Sequence, residues 1–224
     1  MTSSTITSET LSELAALNTS EFMDAIRANG YAIIDNFLPA KLIASLLLEA
    51  GTLQHNKAMQ LAQTGKLAAE KPGTSVRGDL TYWLDSKNKD TSDAQQAYLL
   101  AMDTLQKQLN RQLYLGLFEL ETHFAIYPIG AVYEKHIDQL QHNKHRILSS
   151  VLYLNENWHA EDGGELRLYL DDTLLAGFKD ISPIGGRLVV FLSDQFWHEV
   201  LSAKRQRTSL TGWFRRNSSI RYDA

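Results

Sequence analysis

Three residues give this sequence its most distinctive chemistry. His136-Ile137-Asp138 is followed much later by His198. On a β-strand, residues i and i+2 face the same way. The spacing therefore predicts that His136 and Asp138 point together into a barrel, with Ile137 on the opposite side. His198 opens another strand-like segment and is expected to complete the cluster from across that barrel. Two imidazoles and one carboxylate on one face of a metal form the donor set of non-haem Fe(II) oxygen chemistry, and they leave three positions open for a bidentate cosubstrate and O2. Alone, His-x-Asp on a strand usually marks a solvated face, and the chain has seven histidines. The pattern therefore needs support from other residues.

Arg207 supplies it, nine positions after His198. A dicarboxylate that chelates iron through its keto-acid end needs a cation at its far carboxylate, and arginine offers a fixed bidentate fork. Without His198, Arg207 reads as one more surface residue in Lys204-Arg205-Gln206-Arg207, where Lys204 and Arg205 are alternative cations. Tyr153 has apolar neighbours in alternation and could offer its hydroxyl to the same carboxylate; the plainer reading is a core or rim tyrosine. The remaining histidines are expected to be exposed or hydrogen-bonded. His55 ends a helix, His142 and His145 lie in a polar turn, and His159 precedes Glu161-Asp162. His123 has strand spacing but no acidic partner at the right offset.

The elements that must position these residues change character along the chain. The first ten residues read as disordered. A helix from Thr19 or Ser20 to Ala28 ends at Asn29-Gly30, and Tyr31 to Phe37 reads as a strand. Pro39 opens a second helix with Leu42, Ile43, Leu46, Leu47 and Leu53 on its apolar face. From Asn56 to Thr74 the pattern weakens towards the Lys71-Pro72-Gly73 breaker. A short strand is expected within Val76 to Leu84, and a polar turn over Lys87 to Thr91. A long helix then starts at Ser92 or Asp93 and stops at Gly116. Strand-like runs follow: Glu119 to Tyr127, Val132 to Asp138, Ile147 to Leu154, Glu165 to Leu170, Arg187 to Leu192, His198 to Leu201 and Thr208 to Arg215. Gly/Pro turns separate them, which argues for a sandwich or barrel. The expected fold is α+β and mainly β: a double-stranded β-helix (jelly roll) at 119–216, helical support and a substrate-loop region at 19–118, and a disordered N-terminus at 1–18, one structural domain overall.

Bulk properties exclude other classes. The 224 residues are 44% hydrophobic and 21% charged, enough to bury a sizeable core. A net charge of −4 gives no global attraction to nucleic acid or an anionic membrane. The basic Arg215, Arg216 and Arg221 read as a solvated strand end. With no cysteine there are no disulfides, thiolate metal sites or cysteine nucleophiles. Met1 to Thr10 lacks a basic n-region and an apolar h-region, and Leu42 to Leu48 is too short to span a bilayer. A cytoplasmic enzyme is the expectation.

Together these residues resemble the prolyl 4-hydroxylase superfamily of 2-oxoglutarate oxygenases, in particular the branch of the hypoxia-inducible-factor prolyl hydroxylases and their bacterial relatives. The resemblance runs from Arg77 to Phe214. It assigns His136, Asp138 and His198 (in His198-Glu199-Val200) to iron, and Arg207 and Tyr153 to the far carboxylate of 2-oxoglutarate. Thr211 and Trp213 match its Thr-x-Trp, Tyr127-Pro128 its Tyr-Pro, and Gly163-Gly164-Glu165-Leu166-Arg167 its Gly-Gly turn and strand. Arg77-Gly78-Asp79 followed by Trp83 resembles the segment beside the substrate loop of the prolyl hydroxylase branch; alone it is an ordinary turn with an ion pair.

The resemblance implies hydroxylation of a prolyl residue in a protein, with Fe(II), 2-oxoglutarate and O2 consumed or bound, ascorbate keeping iron reduced, and succinate and CO2 as co-products. It casts Tyr127 and Thr211 as cosubstrate neighbours and Arg77, Asp79 and Trp213 as substrate contacts. A translation factor such as elongation factor Tu is one candidate partner. The stretch between Tyr127 and His136 is slightly shorter than in the animal enzymes, Phe196-Trp197 is bulkier, and Asn56 to Thr74 has no counterpart. Three alternatives remain: the same iron chemistry on a free amino acid or other metabolite, a non-catalytic cupin-like barrel, and a zinc hydrolase, which would leave Arg207 unexplained and lacks an evident general base.

Overall fold

The computed structural model describes residues 19–62, 77–85, 91–139, 144–171 and 177–216. The expectations for residues 1–18, for Lys71-Pro72-Gly73, for most of the Lys87 turn, and for His142 and Arg221 fall outside them.

Helical periodicity sets which faces are buried. In α1 (Thr19–Asn29), Phe22, Met23 and Ile26 turn inward, and Gly30 at φ +77° ends the helix with its N–H bonded to the Ile26 carbonyl. In α2 (Ala40–His55), entered through Pro39, the buried residues are Ile43, Leu46 and Ala50. In α3 (Asp93–Leu113), Tyr98, Ala101, Met102, Leu105 and Leu109 form the inner stripe. Ser92 caps α3 by accepting the Gln95 N–H. The helix stops earlier than Gly116, at Tyr114 in the left-handed region (φ 54°). The Asn110 side chain explains the stop: it bonds both the N–H and the C=O of Leu117, drawing the chain back across the helix end.

The strands are β1 (Tyr31–Ile34), β2 (Gln60–Leu61), β3 (Leu80–Trp83), β4 (Glu119–Tyr127), β5 (Tyr133–His136), β6 (Arg146–Tyr153), β7 (Leu166–Tyr169), β8 (Phe178–Ile181), β9 (Leu188–Leu192), β10 (His198–Val200) and β11 (Arg207–Arg215). They form a seven-stranded sheet, β1-β9-β6-β11-β4-β3-β2, and a four-stranded sheet, β5-β10-β7-β8, with antiparallel pairing throughout. This is the jelly roll expected from the strand-and-turn pattern. The segments before residue 119 add three strands to the larger sheet as well as the helices.

The larger sheet is covered on both faces, which explains why its strands read as apolar runs. Phe124, Ile126, Leu148, Leu152, Leu210 and Phe214 pack against the helices. Their alternates Ala125, Tyr127, Val151, Tyr153, Val189 and Phe191 face the smaller sheet. Each fully buried apolar side chain contributes roughly 1.5–3 kcal/mol, so the helical layer fixes the sheet from behind while its inner face is free to carry polar groups. Two strands gave no sequence signal. β2 is a two-residue edge strand, and β8 has one buried residue, Ile181. A paired charge and a ring hold β8: Arg167 grips Asp180 with both Nε and Nη2 at 2.8 Å and lies 3.8 Å over Phe178. No helix among the described residues is long and apolar enough to cross a membrane.

Candidate active site

His136 is the last residue of β5 and His198 the first of β10, and the two are direct partners in the ladder. The cluster is therefore completed from the neighbouring strand of the smaller sheet, and not from across the barrel. Antiparallel pairing brings opposite side chains within reach of each other, and the two rings stand 4.1 Å apart. Asp138 lies two residues beyond the end of β5, so a turn places it and the strand pleat does not. The Gln139 N–H bonded to the Ser193 carbonyl at 3.0 Å anchors that turn. The ligand atoms of His136, Asp138 and His198 all fall within 4.8 Å of one another.

The histidine tautomers follow from their partners. His136 Nδ1 lies 2.7 Å from the Glu134 carbonyl oxygen, and His198 Nδ1 lies 3.0 Å from that of Phe196. A carbonyl only accepts, so each Nδ1 carries a proton and Nε2 is the nitrogen each ring turns towards a metal. Those Nε2 atoms face Asp138 at 3.7 Å and 3.5 Å. Burial, and then the neighbouring His198, lowers the pKa of His136 to about 4. Burial alone would raise the Asp138 carboxyl, but His198, His136, Ser149 and Trp213 together hold it below its ordinary value. A neutral imidazole beside an ionised carboxylate is the state that a divalent metal requires.

Arg207 begins β11 and points into the same cavity as the triad. Its Nε donates to the Gly164 carbonyl at 3.0 Å, and its guanidinium carbon lies 5.0 Å from the ring centres of both Tyr127 and Tyr153. Only 1% of Arg207 is exposed, yet its Nη2 has no hydrogen-bond partner, and the fully buried Tyr153 hydroxyl has none either. A buried guanidinium without a counter-ion is costly unless an anion completes it. These groups fit the far carboxylate of 2-oxoglutarate, and the triad's nitrogen and oxygen donors fit Fe(II). Gly164, at φ +73°, lets the chain pass this close: a Cβ there would stand 2.8 Å from the Ala203 Cβ and 3.4 Å from the Arg207 Cδ.

A second polar group forms the wall on the other side of the metal cluster. Arg77 grips Asp79 through Nε at 2.5 Å and Nη2 at 2.8 Å, and Nη2 also donates to His123 Nε2 at 3.2 Å. The Arg77 guanidinium lies 4.8 Å over Tyr133, whose ring stacks on His136 at 3.6 Å. Beside it, His123 packs against Trp83 and Trp213 with ring centres 4.6 Å and 5.6 Å away, and Arg146 covers Trp213 at 3.5 Å. Trp83 is 53% exposed and carries this aromatic wall to the surface.

One cavity thus collects Arg77, Tyr127, Thr211, Trp213, Arg207 and the triad. Asp79 does not line it; fully buried, it braces Arg77 from behind. Tyr153 does not line it either; fully buried, it packs its ring 5.0 Å from the Arg207 guanidinium. Among the other histidines, His123 is completely buried and hydrogen-bonded, the second of the two states expected for it. His159 caps a short 3-10 turn at Ala160–Asp162. Lys204 and Arg205 are exposed, and Arg205 pairs with Asp162. Arg215 pairs with Glu119 and Glu121. Sequence reasoning passed over Tyr133, Arg146 and Ser149. Ser149 had a signal: with Val151 and Tyr153 it occupies alternate positions of one strand, a hydroxyl on an otherwise inward-facing apolar row.

A jelly roll with two histidines, a carboxylate and an orphaned arginine in one cavity defines a mononuclear non-haem metal site built to take a dicarboxylate. Comparison with known proteins places it more narrowly. Residues 122–215 match the family model of the 2OG-Fe(II) oxygenase superfamily. A prolyl-4-hydroxylase from Pseudomonas putida is 40% identical, with a TM-score of 0.78 over 89% of this chain and 99% of that one. A prolyl hydroxylase from Trichoplax adhaerens, solved with a hypoxia-inducible-factor oxygen degradation domain peptide fragment, is 26% identical, with a TM-score of 0.81 over 94% of each chain. The hypoxia-inducible factor prolyl hydroxylase of Caenorhabditis elegans is 31% identical over 83% of this chain, which spans about a quarter (26%) of that protein's length. The chain belongs to the 2OG-Fe(II) oxygenase superfamily, close to its prolyl hydroxylases.

Proposed function

We propose that this protein is an Fe(II)- and 2-oxoglutarate-dependent oxygenase that hydroxylates a prolyl residue of a protein substrate. The observation that carries the reading is the shared cavity, which holds both the metal-competent triad and the buried Arg207, whose Nη2 has no hydrogen-bond partner. When bound, iron and 2-oxoglutarate supply the oxidative chemistry, with O2 consumed and succinate and CO2 formed. The chain's own residues do the rest. Nε2 of His136, Nε2 of His198 and the Asp138 carboxylate hold the metal, with both imidazoles locked in the correct tautomer by main-chain carbonyls. Arg207 and Tyr153 fix the length and orientation of the cosubstrate by taking its far carboxylate. Tyr127, stacked against Arg207, and Thr211 shape the space beside it. Arg77 and Trp213 form the substrate side of the cavity, with Asp79 behind Arg77.

A protein substrate is favoured by the similarity to the Trichoplax adhaerens enzyme, which was solved with a peptide, and by the aromatic wall that runs from Trp213 out to exposed Trp83. Ascorbate as the reductant for iron, a cytoplasmic location and a translation factor as target complete the proposal.

The test is succinate formation by anaerobically purified protein given Fe(II), 2-oxoglutarate and O2, with cell extract split into protein and metabolite fractions. Stimulation by the protein fraction, with one added oxygen on a proline by peptide mass spectrometry, is the expected result. Stimulation by metabolites alone would move the substrate to a small molecule. No succinate from folded, iron-loaded protein would favour a non-catalytic barrel. His136→Ala and Asp138→Ala should abolish turnover while the fold persists, and full activity in either would overturn the triad.

A further inference from the structure

Behind Asp138 lies a pair of buried hydroxyls that the steps above do not use. Ser149 Oγ lies 2.6 Å from Asp138 Oδ2, and Ser193 Oγ lies 2.9 Å from Ser149 Oγ. Ser149 is 2% exposed and Ser193 is fully buried, so no bulk water competes for these bonds. The direction of both bonds follows from valence. An ionised carboxylate only accepts, so Ser149 spends its single proton on Asp138. Ser149 must then accept from Ser193, which is the donor of that bond. The chain of protons runs Ser193 to Ser149 to Asp138.

The strands make this pair rigid. Ser149 sits in β6 in register with Phe191 of β9 and Trp213 of β11, so its strand is flanked on both sides, and Ser193 follows directly on β9 with its N–H bonded to the Ile147 carbonyl at 3.0 Å. Asp138, by contrast, sits in a turn beyond the end of β5. The carboxylate is the one member of the triad not placed by the ladder.

We infer that Ser149, backed by Ser193, is the positioning residue for the Asp138 carboxylate: it ties down Oδ2, which lies 3.5 Å from His198 Nε2, and leaves Oδ1, 3.7 Å from His136 Nε2, as the oxygen for the metal. This rests on the metal-site reading above. A carboxylate held through one oxygen by a charge-assisted hydrogen bond is kept from swinging round to chelate with both. One-oxygen ligation keeps open the positions that a chelating cosubstrate and O2 need.

The test is Fe(II) affinity of the full chain, measured anaerobically by competition with a chromogenic chelator, with the Co(II) absorption spectrum as a second readout. Ser149→Ala should weaken Fe(II) binding about 10- to 100-fold, the usual cost of losing a hydrogen bond to a metal ligand, and should change the Co(II) spectrum. Ser149→Thr, which keeps the hydroxyl, should bind as the wild type does. Ser193→Ala should give a smaller loss in the same direction. Wild-type affinity in Ser149→Ala, or equal losses in the Ala and Thr variants, would overturn the inference. If Ser149→Ala does not fold, Ser193→Ala decides, and wild-type affinity there overturns it. Failure of the metal-site reading looks different: the wild type would bind no Fe(II), or His136→Ala would bind it undiminished.

Discussion

The cavity has two arginines, Arg77 partly buried and Arg207 fully, and their surroundings are opposite. Arg77 is saturated: two bonds to Asp79, one to His123, and the Tyr133 ring beneath it. Arg207 has one bond to a neutral carbonyl, two aromatic rings, and a buried nitrogen with nothing to hold. Burial penalises the Arg77 charge, yet the Asp79 hydrogen bond and the facing tyrosines raise its pKa above the usual arginine value. The difference separates scaffold from site. A buried cation with its own counter-ion holds the protein together, whereas one without awaits a ligand.

The largest effect should come from breaking the saturated pair. Asp79→Ala strips Arg77 of its carboxylate counter-ion, at a cost of about 3–5 kcal/mol of folding stability. Urea unfolding of the metal-free protein measures this, and a loss below about 1 kcal/mol would erase the contrast. At the other arginine the expectation is inverted. Arg207→Met should leave stability unchanged or raised, because it removes an uncompensated charge. It should also raise the 2-oxoglutarate needed for half-maximal turnover by about 30-fold or more, the equivalent of 2 kcal/mol and upward. A destabilised variant with normal cosubstrate dependence would show that Arg207 is scaffold after all. Tyr153→Phe sharpens the same point more gently: losing one hydrogen bond of about 1 kcal/mol should raise the requirement roughly fivefold, read in the same titration.

The most gradual effect concerns pH, since it builds up over the titration range. Burial, then the charges of Arg77 and Arg146, hold His123 at a pKa of about 3. In the unfolded chain it titrates near 6.5. As pH falls below about 6.5 the unfolded chain takes up a proton that the folded protein refuses until about 3, so stability declines by about 1.4 kcal/mol per pH unit from this group. His123→Gln should flatten the dependence of urea stability on pH between 7 and 5. The partly buried His136 contributes alike in both proteins, so the difference isolates His123. An unchanged slope would mean that His123 does not stay neutral beside Arg77.

The two arginines also show how far reading by residue type reaches. Arg77 and Arg207 are both candidate site residues in the sequence, one beside Asp79 in an Arg-Gly-Asp turn and the other in a run of basic residues. The Arg77–Asp79 pair was legible because its members are two residues apart. That Arg207 has no counter-ion was not, since its neighbours Gly164, Tyr127 and Tyr153 come from three distant segments.

By itself the sequence determined what is local or periodic. Helical stripes, strand alternation, Gly/Pro turns and the donor types of His136, Asp138, His198 and Arg207 were all readable, because each depends on residues a few positions apart. Only the tertiary structure decided what depends on strand order and edges. It put His198 beside His136 on an adjacent strand, moved Asp138 off the pleat into a turn held by Ser149, and paired the edge strands β2 and β8, whose few residues are too short or too polar for any periodicity to register. It also buried His123 against two tryptophans and Arg77. The physical reason is that cross-strand neighbours are set by loop closure and sheet packing over the whole chain, whereas a side chain's chemical type is fixed at its own position.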